Sequence, residues 1–471
     1  MSNMYYAPVA ALRSVTKLGV AALCAVLAVL VIVSNSRPAA AMNIQTIKSP
    51  GGIEAWLVEE HSVPLLALRF AFDGGSSQDP SGKEGVANFI TAMMDEGAGD
   101  LVAQDFQEQA ENIAMRMRFE DSKDALYGSF ETLTVNRDKA VELLKLAIQK
   151  PRFDADAAER MRQQLLANLT YADKDPDKVA MRDWFAQAFA GHPYALSSNG
   201  TLQSIAGITR DDLAAFHKRT FARDNLKIVA VGDITAEELG KLLDDVFGAL
   251  PEKADLTAVP KTAPVKPGNQ KVVAMGVPQS VAVFGFGAME RKDPDFMAGF
   301  VINHILGGGG FSAKLMEEVR EKRGLAYSVY TFLQPYKHAS ILLGSVATKN
   351  ESMAESLNII RSELKKMAEQ GPSQQDLDAA KSYLTGSYAL RFDTNSKIAT
   401  QLLGLKMDDF GPDYVETRNK QIEAVTMDDV KRVAARLLKA DDLIITVVGK
   451  PVGLTSSTSA KPAAAVPAKP G

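Results

Sequence analysis

Cysteine is all but absent from this chain: Cys24 is the only one in 471 residues, and it lies inside an apolar run, Leu18–Val33, near the start. If that run is removed in processing, disulfides and thiol catalysis are both excluded. Histidine is scarce as well. His61, His192, His217, His304 and His338 make up the whole set, and no two stand at the helical spacing that lets one metal ion be shared. His192 in GHPY reads as a structural turn residue, and Glu59, Glu60 and His61 as a solvated strand end. Positive charge is not in excess either. The 53 lysines and arginines face 57 aspartates and glutamates, and no basic stretch suggests nucleic acid. No G-x-S-x-G elbow surrounds a serine, which removes the hydrolases that present a nucleophile on such a turn.

What is present begins with a targeting pattern. Arg13 and Lys17 precede the apolar run, and SNSRPAAA follows it with small residues at Ala39 and Ala41. This order reads as a secretory signal over residues 1–41, cut before Met42, rather than a retained anchor. Leu23 before Cys24 is too large for a usual lipoprotein site, so no lipid anchor is expected. Removing the segment takes away three positive charges and no negative ones, moving the net charge from −4 to −7. With no disulfide and no anchor left after cleavage, an exported, bacterial periplasmic protein is expected.

The rest is too long for one ordinary core. ITRDDLAAFHKRTFARDNLKIVAVG (208–232) aligns without a gap to VTMDDVKRVAARLLKADDLIITVVG (425–449). Each has a threonine in capping position, two aspartates in the first turn, an amphipathic helix and a β-rich run closed by glycine. DAAERMRQQLLANL from Asp156 and DAAKSYLTGSYAL from Asp378 form a weaker echo. Repeats this far apart imply duplicated domains. β runs such as LLALRFAF and SVAVFGFGA alternate with long helical stretches, so each domain is expected to be α+β with a largely antiparallel sheet. The expected boundaries are 42–249 and 271–450, joined by an extended Pro/Lys/Ala-rich linker at 250–270, with a disordered tail over 451–471.

The stretch GGGGFSAKLMEEVREKRGLAYSVY (307–330) looks at first like a phosphate loop. It lacks the lysine and hydroxyl residue that such a loop needs, and it has no dinucleotide fingerprint. Ser312 is expected to cap a helix, with Phe311 and Met316 as a hydrophobic staple and Leu315, Met316 and Val319 on its buried face. Gly324 should end that helix, and AYSVYTF should follow as a strand. The glycines then mark a tight turn where backbone can approach a ligand closely.

Taken with FAFDGGSSQDPSGKEGVANF (70–89) and GHPYALSSNGT (191–201), this stretch resembles the pitrilysin/insulinase-type zinc protease family, which includes the mitochondrial processing peptidase. The resemblance covers nearly all of the chain after residue 41. It implies two sandwich-like α+β domains that close like a clam shell on a peptide.

It also implies a zinc site, H-x-x-E-H, on the helix after Gly85. Here those positions read N-F-I-T-A, with Asn88, Thr91 and Ala92 at the ligand and base places. Val86, Phe89, Ile90 and Met93 keep the helix's core stripe. An amide is a poor zinc ligand, threonine cannot act as the carboxylate base, and alanine has no donor. Where the family supplies a third ligand, the chain reads Ala167 and Asn168. No zinc is expected in this chain.

The family's other active-site element is an arginine and a tyrosine seven residues apart that bind substrate backbone and help polarise the scissile carbonyl. Arg320 and Tyr327 match it, and Gly307, Gly308, Gly309, Gly310 and Phe311 match the turn implied to contact substrate. Taken without the family, Arg320 in EEVREKR is a solvated helix face and Tyr327 is strand packing. Some family members are two-chain enzymes, with zinc on one subunit and the Arg/Tyr pair on the other. The resemblance therefore implies a zinc-less subunit of a heteromeric metallopeptidase, inactive alone, whose partner is a homologous zinc-carrying chain and whose substrates are peptides or unfolded proteins. The alternative is a non-catalytic peptide-binding or structural scaffold of the cell envelope.

Overall fold

The computed structural model describes residues 42–265 and 267–457; the signal-like segment 1–41 and the tail beyond 457 lie outside the described residues. Residues 45–457 form one compact unit built on two large sheets.

The first sheet contains β1 (Gln45–Lys48), β2 (Glu54–Glu59), β3 (Leu65–Asp73), β6 (Arg116–Asp121), β7 (Ala125–Leu133) and β8 (Leu226–Gly232), in the order β1-β2-β8-β3-β7-β6. A small separate hairpin pairs β4 (Gly97–Ala98) with β5 (Leu101–Val102). The second sheet contains β9 (Gln270–Ala274), β10 (Gln279–Gly287), β11 (Ala326–Pro335), β12 (Ser340–Lys349) and β13 (Ile444–Gly449), in the order β11-β12-β10-β13-β9. Every pairing in the two sheets is antiparallel except β2 with β8 and β9 with β13. The two orders superimpose, β9 standing for β2, β13 for β8, β10 for β3, β12 for β7 and β11 for β6. Both β6 and β11 are therefore outer strands with one open edge.

The duplicated segments explain this match locally. Thr209 and Thr426 each cap a helix, Arg210–Thr220 and Met427–Leu437, through a capping box closed by Asp212 and Asp429. Each helix feeds the strand that closes its repeat, β8 or β13. One face of each sheet is buried under helices of its own half, giving two separate apolar cores.

The other faces are covered by exchange. Helix Pro176–Ala188, from the first half, lies on β10 and β13 of the second sheet. Trp184, Phe185 and Phe189 there form an apolar cluster with Val281, Val283, Ile341 and Val448, and the Trp184 indole donates to the Ile444 carbonyl at 3.0 Å. Helix Asn395–Met407, from the second half, lies on β3 and β8 of the first sheet. Ala399, Leu402 and Leu403 on it are buried, and polar bonds add to the contact: Arg69 donates to Thr400, Ser396 to Glu131, and Lys227 to the Lys406 carbonyl. The first sheet ends at Gly232 and the second begins at Gln270, but each half contributes a helix that covers the other's sheet.

Among its described residues the 250–270 strap has no helix or strand until β9 begins at Gln270, yet it is pinned at several points. Thr257 exchanges hydrogen bonds with the Gln78 amide, the Pro260 carbonyl accepts from His192, and Thr262 N–H donates to the His338 carbonyl. The expectation of disorder from residue 451 onward needs correction. Ser457 exchanges two backbone bonds with Gln270, and Ser456 Oγ accepts from Val272 N–H. β9 is an outer strand with unpaired backbone groups, and the tail satisfies them. No helix among the described residues is long and apolar enough to cross a membrane.

Candidate functional site

Asn88, Thr91 and Ala92 lie on and just after a short helix, Val86–Thr91. Val86, Phe89, Ile90 and Met93 are fully buried beneath it, which is the stripe their spacing predicts. The donors on the other face are already spent. Asn88 Nδ2 donates to Asp121 Oδ1 at 2.9 Å, and Thr91 Oγ1 donates back to the Asn88 carbonyl at 2.8 Å. Ala92 offers nothing, and Ala167 and Asn168 are exposed on helix Ala155–Ala172. Among the described residues no three His, Cys, Asp or Glu side chains converge as metal ligands. The donor set does not fit zinc.

Buried polar groups that the sequence reading did not single out sit around this helix. Asp79 accepts from the Gly85 and Ala87 N–H groups at 2.7 and 3.0 Å, holding the helix start. Burial, only partly offset by those two bonds, pushes its carboxyl up to about 8. Lys123 donates to the Leu196 carbonyl, and burial, opposed by the charges of Asp79, Asp121 and Asp124, holds it down to about 8. Asp121 is also raised by burial, and its Oδ2 has no partner. The signal for these residues was only a charged residue at a turn or strand end, which is ordinarily solvated.

These shifts have a signed consequence. Unfolded Asp79 ionises near 3.8 and folded Asp79 near 8, so its stabilisation is full below the first value and lost as pH rises through the second. Lys123 is depressed from 10.5 to about 8, so its contribution is present above 10.5 and lost as pH falls through 8. Together they place a stability minimum near pH 8. Denaturation midpoints measured across pH should fall from acid toward that value, and Asp79→Asn should flatten the acid limb. An unchanged limb in the variant would assign the slope elsewhere.

The histidines serve structure. His192 is buried, accepting from Tyr194 N–H and bonding the Pro260 carbonyl. His61 is exposed at the end of β2, between Glu59 and Asp233.

The glycine stretch folds differently from the expected capped helix. His304–Gly308 forms a wide π-type turn, Gly310–Ser312 a tight 3-10 turn, and Met316–Glu321 a second π-type turn. Ser312 caps nothing: its hydroxyl donates back to the Gly309 carbonyl at 2.9 Å. The staple does not form either. Met316 is buried with its sulfur accepting from Val329 N–H, while Phe311 is 67% exposed. The intervening tight turn carries Phe311 away from the buried face.

Packing accounts for the absence of side chains at three of the glycines. A Cβ at Gly307 would meet Thr331 Oγ1 at 2.5 Å and Thr331 N at 2.7 Å, so the turn presses directly on β11. Gly308 and Gly309 lie as closely against Asn303 and His304, and Gly310 turns the chain at φ +61°.

Arg320 and Tyr327 come together. The Arg320 guanidinium lies 4.7 Å from the Phe311 ring centroid and 5.0 Å from that of Tyr327. In EEVREKR two of the three carboxylates are taken by other residues, Lys322 pairing with Glu317 and Glu318 and Arg323 with Glu318, and Glu321 does not pair with Arg320. Arg320 forms no ion pair among the described residues. Tyr327 is the extra residue of a β-bulge, since Ala326 pairs with Thr348 and Ser328 with Ala347. That bulge turns its ring outward on the open edge of β11, leaving it 81% exposed. Tyr330, further along the strand, is also exposed and was not anticipated. The outcome is a cation held between two solvent-facing rings, with its polar edge and a phenol free to bond something outside the chain.

Comparison with known proteins follows the same division. The sequence profile of the insulinase family, peptidase family M16, matches residues 57–202, and that of the peptidase M16 inactive domain matches residues 207–384. A non-peptidase homologue, YmxG of Helicobacter pylori, is 30% identical over 398 residues, covering 83% of this chain and 90% of that one. This chain belongs to the M16 family. The beta subunit of the mitochondrial-processing peptidase of Lentinula edodes is 22% identical over 396 residues, 81% of this chain and 84% of that one. A crystal structure of a peptidase M16 inactive domain from Pseudomonas fluorescens matches with a TM-score of 0.82 and 30% identity, covering 88% of this chain and all of that one. The M16 fold is therefore present with its zinc chemistry removed, a non-catalytic form of the family.

Proposed function

We propose that this chain is the zinc-less subunit of an exported heteromeric metallopeptidase. It binds peptide and supplies Arg320 and Tyr327 to the active site of a homologous, zinc-carrying partner chain. The observation that carries this reading is the state of Arg320. It is surrounded by glutamates in sequence, yet it is left without a carboxylate and held between Phe311 and Tyr327 on an open sheet edge. A guanidinium and a phenol are donors that need no change of protonation, suited to an oxygen on which negative charge develops. The zinc of the partner would supply the activated water. Periplasmic export rests on the signal-like segment alone.

A second reading has its own support. Strand β6 is open-edged and runs beside a cavity of about 740 Å³ lined by Arg116, Arg118, Tyr127 and Thr400, a place where an extended peptide could add a strand. A peptide-binding scaffold would use that edge without any partner's zinc.

Affinity capture of the tagged chain from its native envelope separates the two. Co-elution of a related chain bearing H-x-x-E-H, with chelator-sensitive peptidase activity in the pair and none in either chain alone, is the expected result. Elution as a single species that binds peptides but never cleaves them would replace the subunit reading with the scaffold.

A further inference from the structure

One pocket lies well away from both elements described so far. It opens beside the far end of β11, at Leu333, six residues and roughly 20 Å of extended strand from Tyr327. Its volume is about 220 Å³. Pockets for drug-sized ligands run to roughly 300–1,000 Å³, so a compact molecule is required. Helix Phe296–Asn303, helix Asn395–Met407 and helix Tyr414–Glu423 wall it, with the turn Tyr388–Phe392 at one side.

Its charges do not balance. Three arginines line it: Arg291, Arg391 and Arg418. Arg291 has a counter-ion, with Nε 3.2 Å from Asp408 Oδ2, and it also donates to the Tyr414 hydroxyl at 2.7 Å. Arg418 is only 6% exposed and forms no ion pair among the described residues. It is held by neutral groups alone, donating to the Leu384 carbonyl at 3.0 Å and to Asn419 Oδ1 at 2.9 Å, with its guanidinium 4.2 Å from the Tyr388 ring centroid. Arg391, exposed at the mouth, likewise forms no ion pair among the described residues. Carbonyls and ring faces satisfy direction but bring no net negative charge. A buried guanidinium left this way carries an uncompensated desolvation cost.

Most of the remaining wall is apolar, formed by Phe296, Met297, Phe300, Leu333, Pro335 and Leu405, with Gln401, Tyr388 and Tyr414 as its neutral polar groups and no acidic side chain. Guanidinium forks match the planar geometry of a carboxylate. We propose that this pocket binds a small monocarboxylate with an apolar body, its carboxylate meeting Arg418 and Arg391 and its body lying against Phe300 and Leu333. Such a group could come from a free acid or from the C-terminus of a peptide ending in an apolar residue. The site is a property of this chain by itself and does not depend on a partner.

The test is calorimetric titration of the full chain with 4-phenylbutyrate, its neutral amide, inorganic phosphate and a short peptide ending in Leu-Phe with a free or amidated terminus. The acid should bind at least about tenfold more tightly than the amide, and Arg391→Gln should weaken it by about tenfold. Arg391 is exposed on a turn, so that variant is expected to fold. Tight binding of the free-terminus peptide identifies a peptide C-terminus as the source, and binding of the acid alone identifies a free acid; both keep the carboxylate site. Equal affinity for acid and amide, phosphate binding as well as the acid, no binding up to about 10 mM, or an unaffected Arg391→Gln variant would each overturn it.

Discussion

Replacing Arg320 and Tyr327 together with alanine should lower the turnover of the two-chain complex by roughly 100- to 1,000-fold, the effect of removing preorganised donors from a developing oxyanion. Assembly and stability should barely change. Tyr327 is 81% exposed, and the half-buried Arg320 places its guanidinium against that ring and the ring of Phe311, also exposed, so little buried area is lost. Surface changes of this kind stay within about 0.5 kcal/mol. The loss should appear in kcat and kcat/KM alike, because the donors act on charge present only in the transition state. The single variants should each account for most of the effect if the two side chains act as a unit. Unchanged turnover would remove both residues from catalysis, and loss of assembly would move them to the subunit interface.

The second large effect belongs to Trp184. Trp184→Ala should destabilise the whole chain by about 3–5 kcal/mol, the usual cost of deleting a fully buried aromatic. The indole is 0% exposed and bonds the Ile444 carbonyl, so the change leaves both a cavity and an unpaired acceptor. It also joins the halves, because its helix comes from one and its sheet from the other. Denaturant unfolding should therefore shift as a single transition. Separation into two transitions, one unmoved, would show that the halves hold together by other means. On the counterpart helix, Asn395–Met407, partly solvated bonds such as Lys406 to Glu54 should contribute little individually, whereas Leu402 is fully buried.

Several elements were legible from residues alone. The capping threonines and aspartates at 209–212 and 426–429 are local devices, complete within one turn, and both close as their spacing predicts. The stripe of Val86, Phe89, Ile90 and Met93 is equally local, since helical periodicity decides which face is buried. The glycines do form turns, but the helix expected after them with Ser312 as its cap is replaced by a second wide turn, because conformation here is set from outside. The turn presses on Thr331 of β11, and wide turns there permit an approach that regular helical spacing would not reveal. The ordered start of the tail was missed for a similar reason. A Pro- and Ser-rich segment gives no sign that an open strand edge lies beside it.

The absence of zinc was decided by the sequence alone, because coordination needs donor atoms and Asn88, Thr91 and Ala92 do not carry the right ones in any fold. The duplication and the α+β class were likewise set along the chain, by periodicity and by repeated caps. Which sheet each crossing helix covers, whether Arg320 finds a glutamate or two aromatic rings, and where three arginines meet around one pocket were decided only by tertiary structure. An amphipathic pattern specifies a buried face but not the surface it meets, and a charged side chain takes its partner from whatever folding brings within reach.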